Sequence, residues 1–184
     1  MSVLSDSSIL VTGGTGSFGK AFIRELLEHH DPRRVVIYSR DALKQYHGRQ
    51  SFDTDSRPRS FPGHLRHSPP PNPTSPRVDV LLPPAALKQV DTAEYNPFEF
   101  VKTNIIGSQY VVVSSIYAGI MKVVALSTAK ASRPPTLFGA TKPAPDQPSQ
   151  SANHSAAGYV TRFICVCSGK SRRRRASVLP SFTC

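Results

Sequence analysis

The sequence predicts an α/β fold with a parallel sheet, and two short apolar runs separated by an amphipathic segment support this prediction. Residues 9–12 and 35–38 are apolar and β-rich, as expected of strands buried on both faces. Residues 17–30 between them place apolar side chains on one helical face. A strand, a helix and a second strand within about 30 residues form a βαβ unit, which requires parallel strands.

A second helix is predicted to begin at Asn96. Asn96 suits the N-cap, Pro97 suits the first helical position, and Glu99 can complete a capping box. The apolar side chains expected to pack on the sheet are Phe98, Val101, Ile105 and Val112. Residues 123–127 predict the next strand, and residues 159–166 predict a last one.

Two proline-rich segments interrupt this alternation. Residues 58–77 contain seven of the 17 prolines, and residues 143–150 contain three more where a helix should open. Proline removes the backbone donors that helices and strands require, so we expect 58–77 and 143–158 to be irregular. The predicted organisation is one domain over residues 1–167 followed by a basic, disordered tail over residues 168–184.

The charge distribution argues against a general nucleic-acid binder. Residues 1–100 carry 12 basic and 11 acidic side chains, whereas residues 101–184 carry 11 basic side chains and Asp146 alone. The four arginines at 172–175 are a cluster of the kind that contacts phosphate backbones, but no aromatic side chains are interleaved with them. We expect a solvated basic tail rather than a nucleic-acid site.

The cysteines predict neither a disulfide framework nor a metal site. Cys165, Cys167 and Cys184 are an odd number near the end of the chain, and the Cys-x-Cys spacing does not suit zinc. No apolar run approaches the roughly 20 residues needed to span a bilayer, and no leader opens the chain. We therefore expect no metal, no membrane partner and a cytoplasmic location.

A glycine loop joins the first predicted strand to the first helix. Gly13 allows a tight turn, Gly16 lets the backbone approach a pyrophosphate, and Gly19 permits close helix–strand packing. This context predicts a Rossmann-like, doubly wound sheet that binds a dinucleotide on the helix N-terminus. The residues predicted to bind the phosphates are Gly13, Thr15, Gly16, Ser17, Phe18 and Gly19.

The end of the second strand indicates which dinucleotide binds. An acidic residue there would bind the ribose 2′-hydroxyl of NAD, but the chain has Ser39 and Arg40, with Lys44 one helical turn further on. These side chains can receive a 2′-phosphate, which favours NADP. Asp41 is expected to cap the next helix, and the alternative for Arg40 is a solvated surface charge.

Six segments occur in an order that resembles a known family. They are TGGTGSFG (12–19), YSRDALK (38–44), AALKQV (85–90), EYNP (94–97), KTNI (102–105) and FGATK (138–142). Together they resemble the extended short-chain dehydrogenase/reductases, and closely the inverting UDP-N-acetylglucosamine 4,6-dehydratases of the CapD-like polysaccharide-biosynthesis group. The resemblance implies a bacterial cytoplasmic, homo-oligomeric enzyme with a C-terminal substrate region beyond the residues present here.

The resemblance also implies a reaction and roles for individual residues. In that family NADP⁺ takes a hydride from sugar C4, water leaves across C5–C6, and the hydride returns at C6. Asn104 would lie near the nicotinamide and Lys88 near the UDP-sugar. Lys142 would bind the nicotinamide ribose beside a tyrosine at position 138. A Thr-Asp-Lys triplet in the family would place an acid at position 129 and a base at position 130, so the catalytic side chains that remain are Thr128, Lys130 and Lys142.

The sequence departs from the family where protons are transferred. Position 138 is Phe and position 129 is Ala, so the tyrosine and the acid are both missing. Pro83 and Pro84 replace the residues that normally end the fourth strand. The sequence therefore predicts a degenerate copy without detectable turnover. The alternatives are a non-catalytic NADP-binding module and a non-functional fragment.

The pattern of departures suggests a cause. Family-like segments alternate with segments rich in Pro, Arg and Ser, such as 64–77 and 168–177, without a change in length. Our hypothesis is that these segments are read in a shifted frame. If no other reading frame of the coding DNA restores family-like residues, the hypothesis is wrong.

Overall fold

The computed structural model describes residues 4–50, 52, 55–63, 77–84, 95–128 and 162–168, with only the backbone described for 127, 128 and 162–168. The described strands are β1 (Ser8–Thr12), β2 (Arg34–Ser39), β3 (Pro58–Pro62), β4 (Val80–Leu82), β5 (Lys122–Thr128) and β6 (Arg162–Ser168). The helices are α1 (Ser17–His29), α2 (Ala42–Gln50), α3 (Pro97–Phe100) and α4 (Gly107–Tyr117), and a π-helical segment (Val101–Ile106) joins the last two.

The six strands form one parallel sheet in the order β3-β2-β1-β4-β5-β6. The chain runs outward from β1 to β3 and then returns to the other side of β1, so the strand order reverses between β1 and β4. Ligands of doubly wound sheets bind at the carboxyl ends of the strands next to such a reversal. The predicted fold class is confirmed, and the candidate site lies at this edge.

Helices cover both faces of the sheet. Ile9 and Val11 of β1 pack with α1 in one apolar cluster, whereas Leu10 packs with α4 in the other. Adjacent residues of β1 thus enter opposite layers, which explains why its sequence is continuously apolar rather than alternating. The predicted strands at 9–12, 35–38 and 123–127 and the helix at 17–30 are confirmed, each within two residues at either end.

The last described strand ends two residues later than predicted, and residues 159–161 of the prediction lie outside the described residues. It covers Arg162–Ser168 and pairs along its whole length with β5, from Lys122↔Arg162 to Thr128↔Ser168. Ser168, which was assigned to the tail, therefore belongs to the sheet. The remaining tail residues and the segment 143–158 lie outside the described residues.

The prediction that residues 58–77 are irregular is wrong at its start, because residues 58–62 form the edge strand β3. Arg57 O accepts from Val35 N at 3.0 Å and Gly63 N donates to Ser39 O at 3.0 Å, so these two residues face β2. Alternation along the strand then directs the backbone of Pro58 and Pro62 away from β2, toward the open edge. A proline at such a position removes no hydrogen bond from the sheet.

Arg57 fixes the start of β3 to the end of α1. Its Nη2 donates to Leu27 O at 3.0 Å and pairs with Asp55 Oδ2 at 2.7 Å. The side-chain hydrogen bond from Arg57 lowers the pKa of the Asp55 carboxyl. These contacts hold the proline-containing strand in register with β2.

The predicted sheet-facing side of the second helix is wrong at Phe98, which is 74% exposed. The periodicity assumed one continuous α-helix, but the backbone from residue 101 to 106 is π-helical. A π-helix closes i→i+5 hydrogen bonds and takes more residues per turn, so the residues before it rotate away from the sheet. Phe100 and Asn104 are buried in place of Phe98, together with Val112, which was predicted correctly.

The predicted capping box at Asn96 is not formed. Asn96 occupies the N-cap and Pro97 the first helical position, but the Asn96 side chain makes no capping hydrogen bond. The Glu99 carboxylate pairs with Lys102 at 3.6 Å. The backbone of Asn96, at φ −133° and ψ 62°, departs from the usual extended N-cap geometry.

Candidate functional site

The glycine loop (residues 13–16) is attached directly to the end of β2. Gly13 has φ +63°, a left-handed conformation that favours glycine, and its N–H donates to Tyr38 O at 2.7 Å. Gly16 N then donates to Gly13 O at 3.0 Å, which closes the turn. The tight turn predicted at Gly13 is therefore confirmed, and the loop lies beside the residues that follow β2.

The N-terminus of α1 is suited to an anion. Gly16 is its N-cap and supplies no side-chain hydrogen bond, and the first turn contains no acidic residue. The first N–H groups of an α-helix have no partner within the helix, and the helix dipole adds positive potential at this end. The N–H groups of Ser17, Phe18 and Gly19 are thus directed toward the carboxyl edge of the sheet with no built-in counter-anion.

Three glycines shape this N-terminus, two by allowing close packing and one by leaving an open side. A Cβ on Gly19 would lie 2.5 Å from Gly14 Cα, so this glycine allows close packing of the helix on the loop. The prediction of close packing against a strand at Gly19 is therefore wrong. A Cβ on Gly14 would lie 2.8 Å from Ile37 Cγ2, which makes Gly14 a packing requirement that the motif alone did not indicate. A Cβ on Gly16 would meet only Gly13 O, at 3.3 Å, so its open side is accessible to a ligand.

Thr15 and Phe18 frame the helix N-terminus. Thr15 is half-buried, whereas Phe18 is 40% exposed and stacks on Phe22 with ring centroids 6.0 Å apart. Ser17, like Gly16, is exposed. The predicted phosphate-binding residues are therefore brought together around one helix terminus.

Arg40 follows β2 as an exposed side chain, and no described residue hydrogen-bonds to or pairs with its guanidinium. Asp41 is engaged by α2: Lys44 N donates to its Oδ1 at 3.0 Å, and Lys44 Nζ lies 3.4 Å from its Oδ2. The backbone hydrogen bond from Lys44 is the main cause of a lowered pKa of the Asp41 carboxyl. Asp41 is the predicted helix cap, and its pairing with Lys44 leaves Arg40 as the uncompensated cation of this segment.

Gln45 holds the end of β2 in place, a contact that the sequence motifs did not indicate. It is 7% exposed, and its Nε2 lies 2.9 Å from each of three acceptors, which are Ser39 O, Ser39 Oγ and Phe61 O. Two of these acceptors are carbonyl oxygens, so the amide nitrogen must face them. Gln45 therefore ties the carboxyl ends of β2 and β3 together beneath Arg40.

Three buried hydroxyls lack a hydrogen-bond partner among the described residues, those of Ser8, Thr12 and Thr103. Thr12 ends β1 and is fully buried, and Thr103 lies in the π-helical segment with 9% exposure. Buried polar atoms are rarely left unsatisfied without a ligand, a water or a functional reason. Asn104, predicted to lie near a nicotinamide, is buried next to Thr103 in the same segment.

The other predicted site residues cannot be located in the same detail. Thr128 ends β5, and only its backbone is described. Lys88, Ala129, Lys130, Phe138 and Lys142 lie outside the described residues. The fourth strand ends at Leu82, immediately before Pro83 and Pro84.

The described part of the chain holds no cluster of three His, Cys, Asp or Glu side chains that suits a metal ion. None of its helices has the length and apolar character required to cross a membrane.

The geometry fits the diphosphate and the adenosine end of a dinucleotide. The helix N-terminus offers unpartnered N–H groups, the open side of Gly16 allows close approach, and Arg40 lies on the segment that follows β2. Since Gly13 N binds Tyr38 O, the loop and the end of β2 are adjacent. That arrangement is the one in which a dinucleotide crosses from a helix N-terminus to the second strand.

Comparison with known proteins places the chain among sequences of the same architecture. The chain is 42% identical over 180 residues to the UDP-N-acetylglucosamine 4,6-dehydratases (inverting) of two Campylobacter jejuni strains, and the match covers 98% of this chain and 54% of each relative. The solved structure of Pen from Bacillus thuringiensis matches with a TM-score of 0.81 and 32% identity, over 97% of this chain and 55% of that one. The chain thus spans about half the length of the relatives it matches. A family model described as polysaccharide biosynthesis protein matches residues 9–184, and the chain therefore belongs to that family.

Proposed function

We propose that this chain binds NADP at the glycine loop and the end of β2. The observation that carries the proposal is the α1 N-terminus, whose glycine N-cap and lack of first-turn acids leave its N–H groups available to a diphosphate. The preference for NADP over NAD rests on Arg40, whose charge no described residue compensates, and on the engagement of Asp41 by Lys44. The predicted binding residues remain those of the glycine loop together with Ser39, Arg40, Lys44 and Asn104.

The substrate class follows from the relatives. The Campylobacter jejuni proteins carry the name of a UDP-N-acetylglucosamine 4,6-dehydratase, so we infer descent from a nucleotide-sugar dehydratase of polysaccharide biosynthesis with a UDP-sugar as substrate. When bound, NADP⁺ would accept the hydride in the dehydratase reaction. Lys88 and Lys142 are proposed to bind substrate and nicotinamide ribose, and a cytoplasmic location is proposed with them.

Turnover is not expected of this chain. Phe138 has no proton to exchange, and Ala129 has no acidic group. The catalytic side chains that remain are those of Thr128, Lys130 and Lys142. A chain that binds NADP without turnover is a non-catalytic module, and a chain that does not fold is a non-functional fragment. Cofactor binding distinguishes these two alternatives.

Thermal unfolding of the purified chain tests the proposal. NADP⁺ at 100 times its Kd should add about 2.7 kcal/mol to the stability of the native state and raise the Tm by roughly 5–10 °C. NAD⁺ at the same concentration should raise the Tm less.

The Arg40→Gln variant should bind NADP⁺ roughly 10-fold or more weakly, because it removes a charged donor. The Lys44→Gln variant should lose less NADP⁺ affinity, because Lys44 already pairs with Asp41. Equal shifts with the two cofactors would contradict the assignment of NADP, and no cooperative transition would favour the fragment.

Self-association is proposed on a separate observation. Four apolar or aromatic side chains are exposed at helical spacing, one at the end of the π-helical segment and three on α4; they are Ile106, Tyr110, Val113 and Tyr117. Their exposures of 37%, 44%, 42% and 83% leave an apolar stripe that a second copy of the chain would bury. The homo-oligomer expected from the family resemblance would use this stripe.

A charge in this stripe should shift the association equilibrium. Val113→Glu places a carboxylate in the middle of the stripe and should increase the dissociation constant of the dimer at least about 10-fold, since an unpaired charge is costly to bury. Leu43→Glu is the matched control, because Leu43 is 66% exposed on α2 and lies outside the stripe. Sedimentation equilibrium measures both variants. A wild-type chain that is monomeric throughout the concentration range would contradict this interface.

A further inference from the structure

We infer that Gln45 is a positioning residue that orients the Ser39 hydroxyl as a donor to an acceptor-only group, the 2′-phosphate of a bound dinucleotide. The inference rests on the proposed NADP site and assigns the origin of its selectivity. It starts from the three contacts of Gln45 Nε2, at 2.9 Å each to Ser39 O, Ser39 Oγ and Phe61 O.

The chemistry of an amide fixes the direction of these hydrogen bonds. The amide nitrogen carries two N–H groups for these three acceptors, so at least one N–H is shared between two of them. Because the nitrogen has no lone pair available to accept, Ser39 Oγ can only accept from Gln45. The hydroxyl proton of Ser39 must therefore point elsewhere. Within the part of the chain that the structure describes, the Ser39 hydroxyl donates no hydrogen bond.

Burial makes this unpaired proton significant. Ser39 is 6% exposed and Gln45 is 7% exposed, so water competes weakly for the pair. A hydroxyl that already accepts one hydrogen bond is polarised to donate a stronger one. Its position at the end of β2, adjacent to Arg40, is where the adenosine ribose of a dinucleotide lies in this architecture. A phosphate monoester is the group that matches a buried donor beside a guanidinium, because its oxygens accept hydrogen bonds and carry negative charge.

The same side chain also sets the backbone at this position. Ser39 O accepts from Gln45 and from Gly63 N at 3.0 Å, and Phe61 O is held by the same amide. The strand ends are thereby fixed immediately before Arg40. Gln45 would act on the phosphate through Ser39 and Arg40, without touching it.

The ratio of the NADP⁺ and NAD⁺ dissociation constants distinguishes a positioning role of Gln45 from a purely structural role. Gln45→Met keeps the length and volume of the side chain and removes its donors, and Gln50→Met makes the same change on the exposed end of the same helix. Calorimetric titration of the full chain with NADP⁺ and with NAD⁺ gives both dissociation constants. We expect Gln45→Met to weaken NADP⁺ about tenfold and NAD⁺ less than about twofold, and Gln50→Met to change neither.

A second variant keeps the inference testable if Gln45→Met does not fold. Ser39→Ala removes the hydroxyl and leaves Gln45 its carbonyl partners, and it should cause the same selective loss of NADP⁺ affinity. The double variant should lose no more than either single variant, because both remove one hydrogen-bonded unit. Equal weakening of both cofactors, or an unchanged ratio in Ser39→Ala, would overturn the inference alone. A wild-type chain that binds NAD⁺ as tightly as NADP⁺ would overturn the proposed cofactor as well.

Discussion

Gly19→Ala is expected to destabilise the fold and to abolish dinucleotide binding. The new methyl group would lie 2.5 Å from Gly14 Cα and 2.7 Å from Gly14 C and O, all of them backbone atoms of the glycine loop. No side-chain rotation relieves such a contact, so α1 or the loop must move. Overpacking of this kind costs about 3 kcal/mol, which corresponds to a Tm lowered by roughly 6–12 °C in a chain of this size.

The control for this substitution is the same change on another helix. Gly48 lies in α2, and a Cβ there would have no heavy atom within 4 Å. Gly48→Ala should therefore stabilise the protein by about 0.4–1 kcal/mol, because it restricts the unfolded chain without a clash. Chemical denaturation of both variants gives the two free energies of unfolding. A Gly19→Ala variant at least as stable as the unaltered chain would show that the close approach of α1 to the loop is absent in solution.

The first βαβ unit could be predicted from the sequence because its signals are local. Residues 9–12 are apolar without interruption, residues 17–30 have helical periodicity, and glycines separate them. The cap at Asp41 was also predictable, since Asp before a helix accepts hydrogen bonds from the first turn. Each of these predictions depends on residues within a few positions of one another.

The predictions that failed depended on strand order and on backbone geometry, neither of which the residue pattern indicates. The edge position of β3 decides whether Pro58 and Pro62 are tolerated, and composition alone does not give the strand order. The π-helical segment moved Phe98 out of the core, and no residue pattern marked it. The roles of Gly14 and Gln45 also depend on contacts far along the chain, with Ile37 and with Phe61. A family motif indicates which residues bind a ligand, but it does not indicate which other residues position those binding residues.

Dehydration of UDP-N-acetylglucosamine by this chain is expected to be at least about 10⁴-fold slower than by the Campylobacter jejuni relative assayed in parallel. Loss of one positioned acid or base typically costs 10²–10⁴ in rate, and both Phe138 and Ala129 replace groups that the family resemblance assigns to proton transfer. Because the effects of residues that act as a unit are not additive, the second loss should lower the rate less than the first.

Product formation followed by mass spectrometry over a day, with saturating NADP⁺, is sensitive enough for this comparison. The double variant Phe138→Tyr/Ala129→Asp is the informative companion, because a rate raised tenfold or more would assign the defect to these two positions. An unchanged rate would show that the defect lies outside these two positions. Turnover by the unaltered chain within tenfold of the relative would show that proton transfer does not require either group, and the proposal of a non-catalytic module would then be wrong.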